Sequence, residues 1–452
     1  MSRTSSLVAL GALAMFVGAG RFAAAQETDA ADALALRVGE LERAIGLLED
    51  ENAIEKLQRI YGFYTDKQMW TQAADLFAAD GTLEIGGRGV YVGKARIVEL
   101  LRLNGPESPQ PGRLFDQMQL QPVVHVAPDG RTAKARWRMF AQEAVAGEYA
   151  NWGVGVFENE YAKEEGIWKI KTLHLYTTMY TPYEEGWGKT AIPNAGPSAE
   201  LPPDRPPSVE YEAYPTAFVV PFHYENPVTG RPVYERPAAA PARGDLDATL
   251  AALGRRLGLL EDTEQLERLN SIYGYYLAHN QWDELAGIFA PTGSIEIAMR
   301  GIYVGSASVR RNLNLYGEAG VQFGLLHNHM QFQPVIDVAP DGRTAKIRSR
   351  ALSIMGQYER YAQWMGGVYE NDFVKEDGVW KIKRDQVFNT YFAPYAVGWK
   401  ALQPRPPPGI TAANPPDLPP SLPFEMYPQP FLPPYHYANP VTGQTVTWTP
   451  PQ

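Results

Sequence analysis

The sequence predicts an α+β fold made twice: two tandem domains, each a curved antiparallel sheet with helices on one face, each trailed by a Pro-rich extended tail. Three observations carry this reading. Segments recur at a constant offset of 212, so that Ile60-Tyr61-Gly62-Phe63-Tyr64 returns as Ile272-Tyr273-Gly274-Tyr275-Tyr276, and Gly166-Ile167-Trp168-Lys169 as Gly378-Val379-Trp380-Lys381. Within each copy, helical periodicity comes first and two-residue alternation follows. Behind each copy the chain turns Pro-rich, and the tails repeat too, with Pro221-Phe222-His223-Tyr224 matching Pro434-Tyr435-His436-Tyr437.

Taken in order, Leu34, Val38, Leu41, Ile45 and Leu48 recur at three- and four-residue steps and predict an opening helix. An acidic punctuation, Glu49-Asp50-Glu51, precedes a further apolar helical face at Ile54, Leu57, Ile60, Tyr61 and Tyr64. A short helix holds Trp70, Ala74, Leu76 and Phe77, and Asp80-Gly81 ends it before a strand at 82–85. Another short helix carries Ile97, Leu100 and Leu101. Two hairpins follow: 123–126 with 132–140 across a Pro-Asp-Gly turn, and 151–162 with 168–180 across Glu165-Gly166. The second copy repeats this plan. Proline cannot donate to a β-ladder, so the tails read as extended surface straps.

The N-terminus reads as an export leader: Arg3, an apolar stretch from Leu7 to Val17, then Ala23-Ala24-Ala25 before Gln26. The expected organisation is a signal peptide at 1–25, a first domain at 26–190, a strap and linker at 191–244, a second domain at 245–402 and a C-terminal strap at 403–452, in a secreted or periplasmic protein. Removing residues 1–25, which hold Arg3 and Arg21 and no acid, moves the net charge from −10 to −12. An acidic pair of domains without a basic stripe argues against nucleic acid as a partner. No segment beyond the leader could insert stably in a membrane. There is no Cys, which excludes thiol catalysis, disulfides and thiolate metal sites.

The order Tyr61 to Asp66, Trp70, Leu76-Phe77-Ala78-Ala79-Asp80-Gly81, Val90-Tyr91-Val92-Gly93 and Gly166-Ile167-Trp168-Lys169-Ile170, present in both copies, resembles the SnoaL-like branch of the nuclear transport factor 2-like superfamily. The resemblance implies a cone that encloses an apolar pocket, and relatives that include polyketide cyclases, ketosteroid isomerases and scytalone-type dehydratases. It also implies that the two copies could pair within the chain, and that the partner is a small apolar, polyketide- or steroid-like molecule handled without metal or cofactor. Asp66, four residues before Trp70, matches the acid of the dehydratase-like members; the second copy has Ala278 there. His329 matches their strand histidine, where the first copy has Gln117. A second histidine would fall near Trp152 and Trp364, and neither copy has it.

Alternation from Trp168 through Ile170 and Thr172 places His174 on the pocket side of its strand. The expected catalytic set is therefore Asp66, His174 and Tyr61 or Tyr64 in the first copy. The expected pocket residues are Trp70, Trp168, Gln117 and Trp152 there, with Tyr273, Tyr276, His329 and Trp364 in the second copy, whose pocket should lack an acid. Each residue also has a plain structural role open to it: Asp66 as a turn acceptor, His174 as a bonded core residue, the tyrosines as core aromatics. The activities in view are acid/base dehydration, isomerisation or cyclisation, with non-catalytic ligand binding or a structural role as alternatives.

Overall fold

The computed structural model describes residues 24–448, with side chains from residue 30. The expected leader, up to residue 23, lies outside the described residues. Two compact units divide the chain. In the smaller, made of residues up to 45 and 237–254, the backbone amide of Ala242 donates to Ala35 O at 2.7 Å. A Cβ on Gly39 would fall 2.0 Å from Ala240 O, so this close crossing of two backbones needs glycine.

The larger unit holds the sheets of both sequence repeats and the later parts of their first helices, from residues 46 and 255. The first is built on α1 (Ala24–Asp66), α2 (Trp70–Asp75), β1 (Phe77–Ile85), β2 (Val90–Val92), α3 (Lys94–Arg102), β3 (Arg113–Val126), β4 (Thr132–Val145), β5 (Tyr149–Glu164) and β6 (Ile167–Pro182). The second repeats it as α4 (Leu246–Ala278), α5 (Trp282–Gly287), β7 (Phe289–Ile297), β8 (Ile302–Val304), α6 (Ser306–Leu313), β9 (Leu325–Val338), β10 (Thr344–Gln357), β11 (Tyr361–Glu376) and β12 (Val379–Pro394). Each forms a six-stranded sheet, β2-β1-β6-β5-β4-β3 and β8-β7-β12-β11-β10-β9. The sheets are mixed rather than wholly antiparallel. The last strand of each meander closes beside the first in parallel, β6 on β1 and β12 on β7.

Asp50, read as punctuation, sits inside α1, which runs on without a break to Asp66. Its carboxylate is buried and accepts from Trp168 Nε1 at 2.9 Å, as Asp262 does from Trp380 Nε1 at 2.9 Å. Each helix is thereby pinned to the final hairpin of its own copy. Trp70 and Trp282 are wholly buried, and their indoles donate to Gly105 O and Gly317 O at 2.9 and 3.0 Å.

Residues 183–236 and 395–448 contain only turns and isolated bridges, and they lie against the sheets through repeated contacts. Glu84 accepts from Ser208 N and Oγ at 2.9 and 2.6 Å; Glu296 accepts from Ser421 N and Oγ at 2.7 Å each. Further along, Arg136 donates to Pro221 O and pairs with Glu158, which meets His223 Nδ1 at 2.8 Å. Arg348, Pro434 O, Glu370 and His436 repeat this arrangement. The carboxylates common to both copies therefore hold the straps.

At one end the repeats touch by unlike faces. The end of α1 lies on the outer face of β9 and β10, where Arg59 Nη1 donates to Pro334 O at 2.8 Å and Gln333 Nε2 to Arg59 O at 2.9 Å. Tyr435 Oη of the C-terminal strap donates to Phe63 O at 3.0 Å. At the other end, Trp152 and Tyr183 of the first repeat pack with Trp364 and Trp399 of the second. No helix among the described residues is long and apolar enough to cross a membrane.

Candidate functional site

The cone of the first repeat encloses a cavity of about 200 Å³. Its floor and walls come from Tyr61 of α1, Phe115 and Gln117 of β3, Glu143 of β4, Phe157 of β5 and Leu175, Thr177 and Tyr180 of β6. Arg88 and the strap residues 192–195 line its rim. Gly86, beside Thr177, has φ +51, and a Cβ there would meet Thr177 Oγ1 at 2.7 Å, so glycine keeps this wall of the cavity clear.

The polar centre of the cavity is Glu143. Tyr180 Oη donates to its Oε1 at 2.9 Å and Gln117 Nε2 donates to the same oxygen at 3.1 Å. Among the described residues no cation pairs with it, and withdrawal from water raises its pKa above the usual carboxylate range. The same withdrawal holds the hydroxyls of Tyr61 and Tyr180 neutral, well above their ordinary value. A carboxyl with a raised pKa and two neutral hydroxyl groups therefore share one cavity, with Phe115, Phe157 and Leu175 among its apolar walls and Thr65, Asn104 and Thr177 among its polar ones. These are the parts that general acid/base chemistry requires.

Of the expected set, Tyr61 and Gln117 line this cavity; Asp66, His174, Tyr64, Trp70, Trp152 and Trp168 do not. Asp66 points between the repeats. Its Oδ1 accepts from Gln117 N at 2.7 Å, and its other oxygen pairs with Arg350, which also pairs with Asp116. His174 faces away from the cavity. A bulge at Lys171, between the pairs Tyr161↔Ile170 and Glu160↔Thr172, shifts the alternation by one, so Leu173 and Leu175 turn inward. His174 turns outward, stacks on Tyr176 at 3.7 Å and lies 3.6 Å from Glu84 beneath the strap. Tyr64 is buried against Tyr435 and Tyr437, and Trp152 belongs to the aromatic cluster between the repeats.

The second repeat carries a different interior. His329 is buried, with Ser353 Oγ 2.7 Å from Nδ1 and Tyr369 Oη 3.0 Å from Nε2. Burial depresses its pKa to about 3, so the ring is neutral. Tyr273 donates to Asp385 Oδ2 at 2.9 Å. Asp385 is fully buried and its pKa is pushed up to about 7 by desolvation. The expectation of an acid-free interior thus gives way to an acid from β12. The matching bulge at Lys383 turns Asp385 inward, just as the first turns His174 outward. Tyr276 is partly buried against the core, and Trp364 donates to Tyr183 Oη at 3.2 Å in the cluster between the repeats. Met355 and Phe392 stand where the first repeat has Glu143 and Tyr180.

A family described as the SnoaL-like domain matches the chain at residues 47–174 and again at 259–385. No curated protein matches it. Among solved structures it is similar to a "Putative Scytalone Dehydratase" from Novosphingobium aromaticivorans, at 28% identity over 31% of this chain and 91% of that one, TM-score 0.28. It is also similar to LinA, at 19% identity over 31% and 93%, TM-score 0.28. A third likeness is to ActVI-ORFA from Streptomyces coelicolor, at 12% identity over 28% and 96%, TM-score 0.25.

Proposed function

Because the chain belongs to the SnoaL-like domain family in both of its repeats, we propose that its first repeat is a cofactor-independent acid/base site for a small, largely apolar, oxygenated molecule. The observation that carries the proposal is Glu143: a carboxyl with a raised pKa, without a cation among the described residues, held by Tyr180 and Gln117 at the centre of a cavity. In the proposed reaction Glu143 removes a proton from carbon beside a carbonyl or hydroxyl-bearing centre. A tyrosine hydroxyl, Tyr61 or Tyr180, stabilises the oxyanion that develops, as neutral donors do in a dry site. Dehydration, isomerisation and cyclisation all share this first step. The cavity volume, about 200 Å³, compares with the roughly 150 Å³ that accommodates benzene, and so favours a molecule of one or two rings. The leader-like residues 1–25 support a place outside the cytoplasm, and the contacts of α1 with β9 and β10 support an intramolecular pair in which the second repeat buttresses the first.

Proton abstraction can be followed before the natural substrate is known. The purified chain is incubated in heavy water with one- and two-ring ketones such as indanone and tetralone, and deuterium entry beside the carbonyl is read by NMR. Saturable exchange above the buffer rate is expected, falling by about 10²-fold or more in Glu143→Gln, which keeps an acceptor oxygen for both donors but removes the base. Exchange that survives this substitution would remove Glu143 from the mechanism. Probe binding without exchange would favour the non-catalytic binding reading.

A further inference from the structure

The two repeats, matched residue by residue, differ in which of their faces are covered. Equivalent residues meet at one end, Trp152 with Trp364 and Tyr183 with Tyr395, but the rest of the inter-repeat contact is heterologous, with a helix face of the first repeat set on a strap-covered sheet face of the second. A heterologous contact between similar units leaves one unused copy of each face. Both unused faces keep the features of the used ones.

The used sheet face is a platform. Arg348 donates to Pro434 O at 2.9 Å and lies 3.9 Å from the ring of Tyr435, and Phe63 of the first repeat rests on it, 4.8 Å from Arg348 and 5.2 Å from Arg350. The first repeat has the same platform. Arg136 donates to Pro221 O at 3.0 Å and lies 4.0 Å from the ring of Phe222, with Arg138 where the second repeat has Arg350. Among the described residues no aromatic side chain rests there as Phe63 does on the other platform, and Phe222 is 55% exposed. The unused helix face is equally bare. Phe63, 1% exposed in the contact, corresponds to Tyr275, 71% exposed, with Ile272 exposed one turn before it. At the far end, Trp399 is fully buried against Trp152, while its counterpart Trp187 is 60% exposed. Large aromatic side chains at these matched positions are a poor choice for a solvated surface and the usual choice for an anchor.

We propose that the chain self-associates head to tail: the Tyr275 face of the second repeat docks on the Arg136–Phe222 platform of another copy, as Phe63 docks on Arg348 and Tyr435 within the chain. A second copy is the occupant because the template for the contact is the chain's own interface, and both of its halves are present on one molecule. The contact should be weaker than the internal one. Asp66, which pairs with Arg350, is replaced by Ala278, so Arg138 would gain no carboxylate there. Association should therefore depend on concentration.

Sedimentation velocity of the purified chain over a concentration series is the test. Species larger than the monomer are expected to grow with concentration, and Tyr275→Glu and Phe222→Glu, both at exposed positions, should each be monomeric with unchanged circular dichroism. Mixing the two variants is the diagnostic step. Each retains the face that the other has lost, so the mixture should form a one-to-one dimer and nothing larger. A wild-type chain that stays monomeric at every concentration would overturn the proposal. So would assembly that ignores both substitutions, or two monomeric variants that fail to combine.

Discussion

Arg350→Met is expected to cost about 3–5 kcal/mol of stability, the scale for removing one partner from a buried ion cluster. Arg350 is 3% exposed, is covered by Phe63 and holds both Asp66 and Asp116, which are themselves buried. Without the guanidinium, two carboxylates remain side by side out of water, and each can relieve the other only by binding a proton. The loss should therefore shrink as the pH is lowered toward the carboxylate range, because the variant's folded carboxyls have raised pKa values and the stability lost with rising pH returns when they protonate. Adding Asp66→Asn should recover part of the loss by removing one of the stranded charges. Arg138→Met is the internal control: that side chain occupies the equivalent place in the first repeat, is exposed and donates to Gln121 at 2.8 Å, so its change should stay within about 0.5 kcal/mol. Urea midpoints at a common slope measure all four chains. If Arg350→Met and Arg138→Met proved alike, Asp66 would not be committed to an ion cluster and would return as a candidate for proton transfer.

The place of Asp66 was invisible in the sequence because its partner lies in the other copy, 284 residues away. Repetition and periodicity were enough to read the architecture: the offset of 212 implies two repeats, and the strand pattern around Trp168 and Trp380 marks the closing hairpins. The site was less legible, for one physical reason that acts twice. Two-residue alternation holds only along an unbroken ladder, and Lys171 and Lys383 each insert one residue into it. Neither is a Gly or Pro, so nothing local marks the bulge. Beyond it, the inward face runs Leu173, Leu175 and Thr177 in the first repeat and Asp385, Val387 and Asn389 in the second. The apolar pair Leu173 and Leu175 was the available signal, since leucines at alternate positions point to the interior. Glu143 had a fainter one: its counterpart is Met355, and a carboxylate aligned with an apolar core residue marks the copy in which that position has a task.

Asp385→Asn should reverse its effect with pH. Asp385 lies wholly inside the second repeat, facing Tyr273 of α4 and the polar wall of β11 at Tyr369 and Asn371. Its folded pKa is about 7 against a usual value of 3.8, so the fold favours its neutral form. A raised folded pKa contributes stability that is complete below about pH 4 and is lost as pH climbs to about 7. That rise corresponds to a free energy on the order of 4 kcal/mol. The neighbouring histidines act in the opposite sense. His327 and His329 have folded pKa values depressed to about 4 and about 3, so the unfolded chain takes up protons first and their contribution is lost as pH falls below about 6.5. In the parent chain these slopes offset each other between about pH 4 and 6.5. Asparagine keeps the acceptor for Tyr273 and removes the titration, which leaves the histidine slope alone. The variant should thus match or fall slightly below the parent near pH 4.5, overtake it as pH rises, and exceed it by a few kcal/mol at pH 8.5, with the difference flat above about pH 7. Urea unfolding of both chains across that range reads the difference directly. A difference that does not change with pH would mean that Asp385 titrates in the fold as it does in the unfolded chain, and so is solvated or paired rather than sealed beside Tyr273.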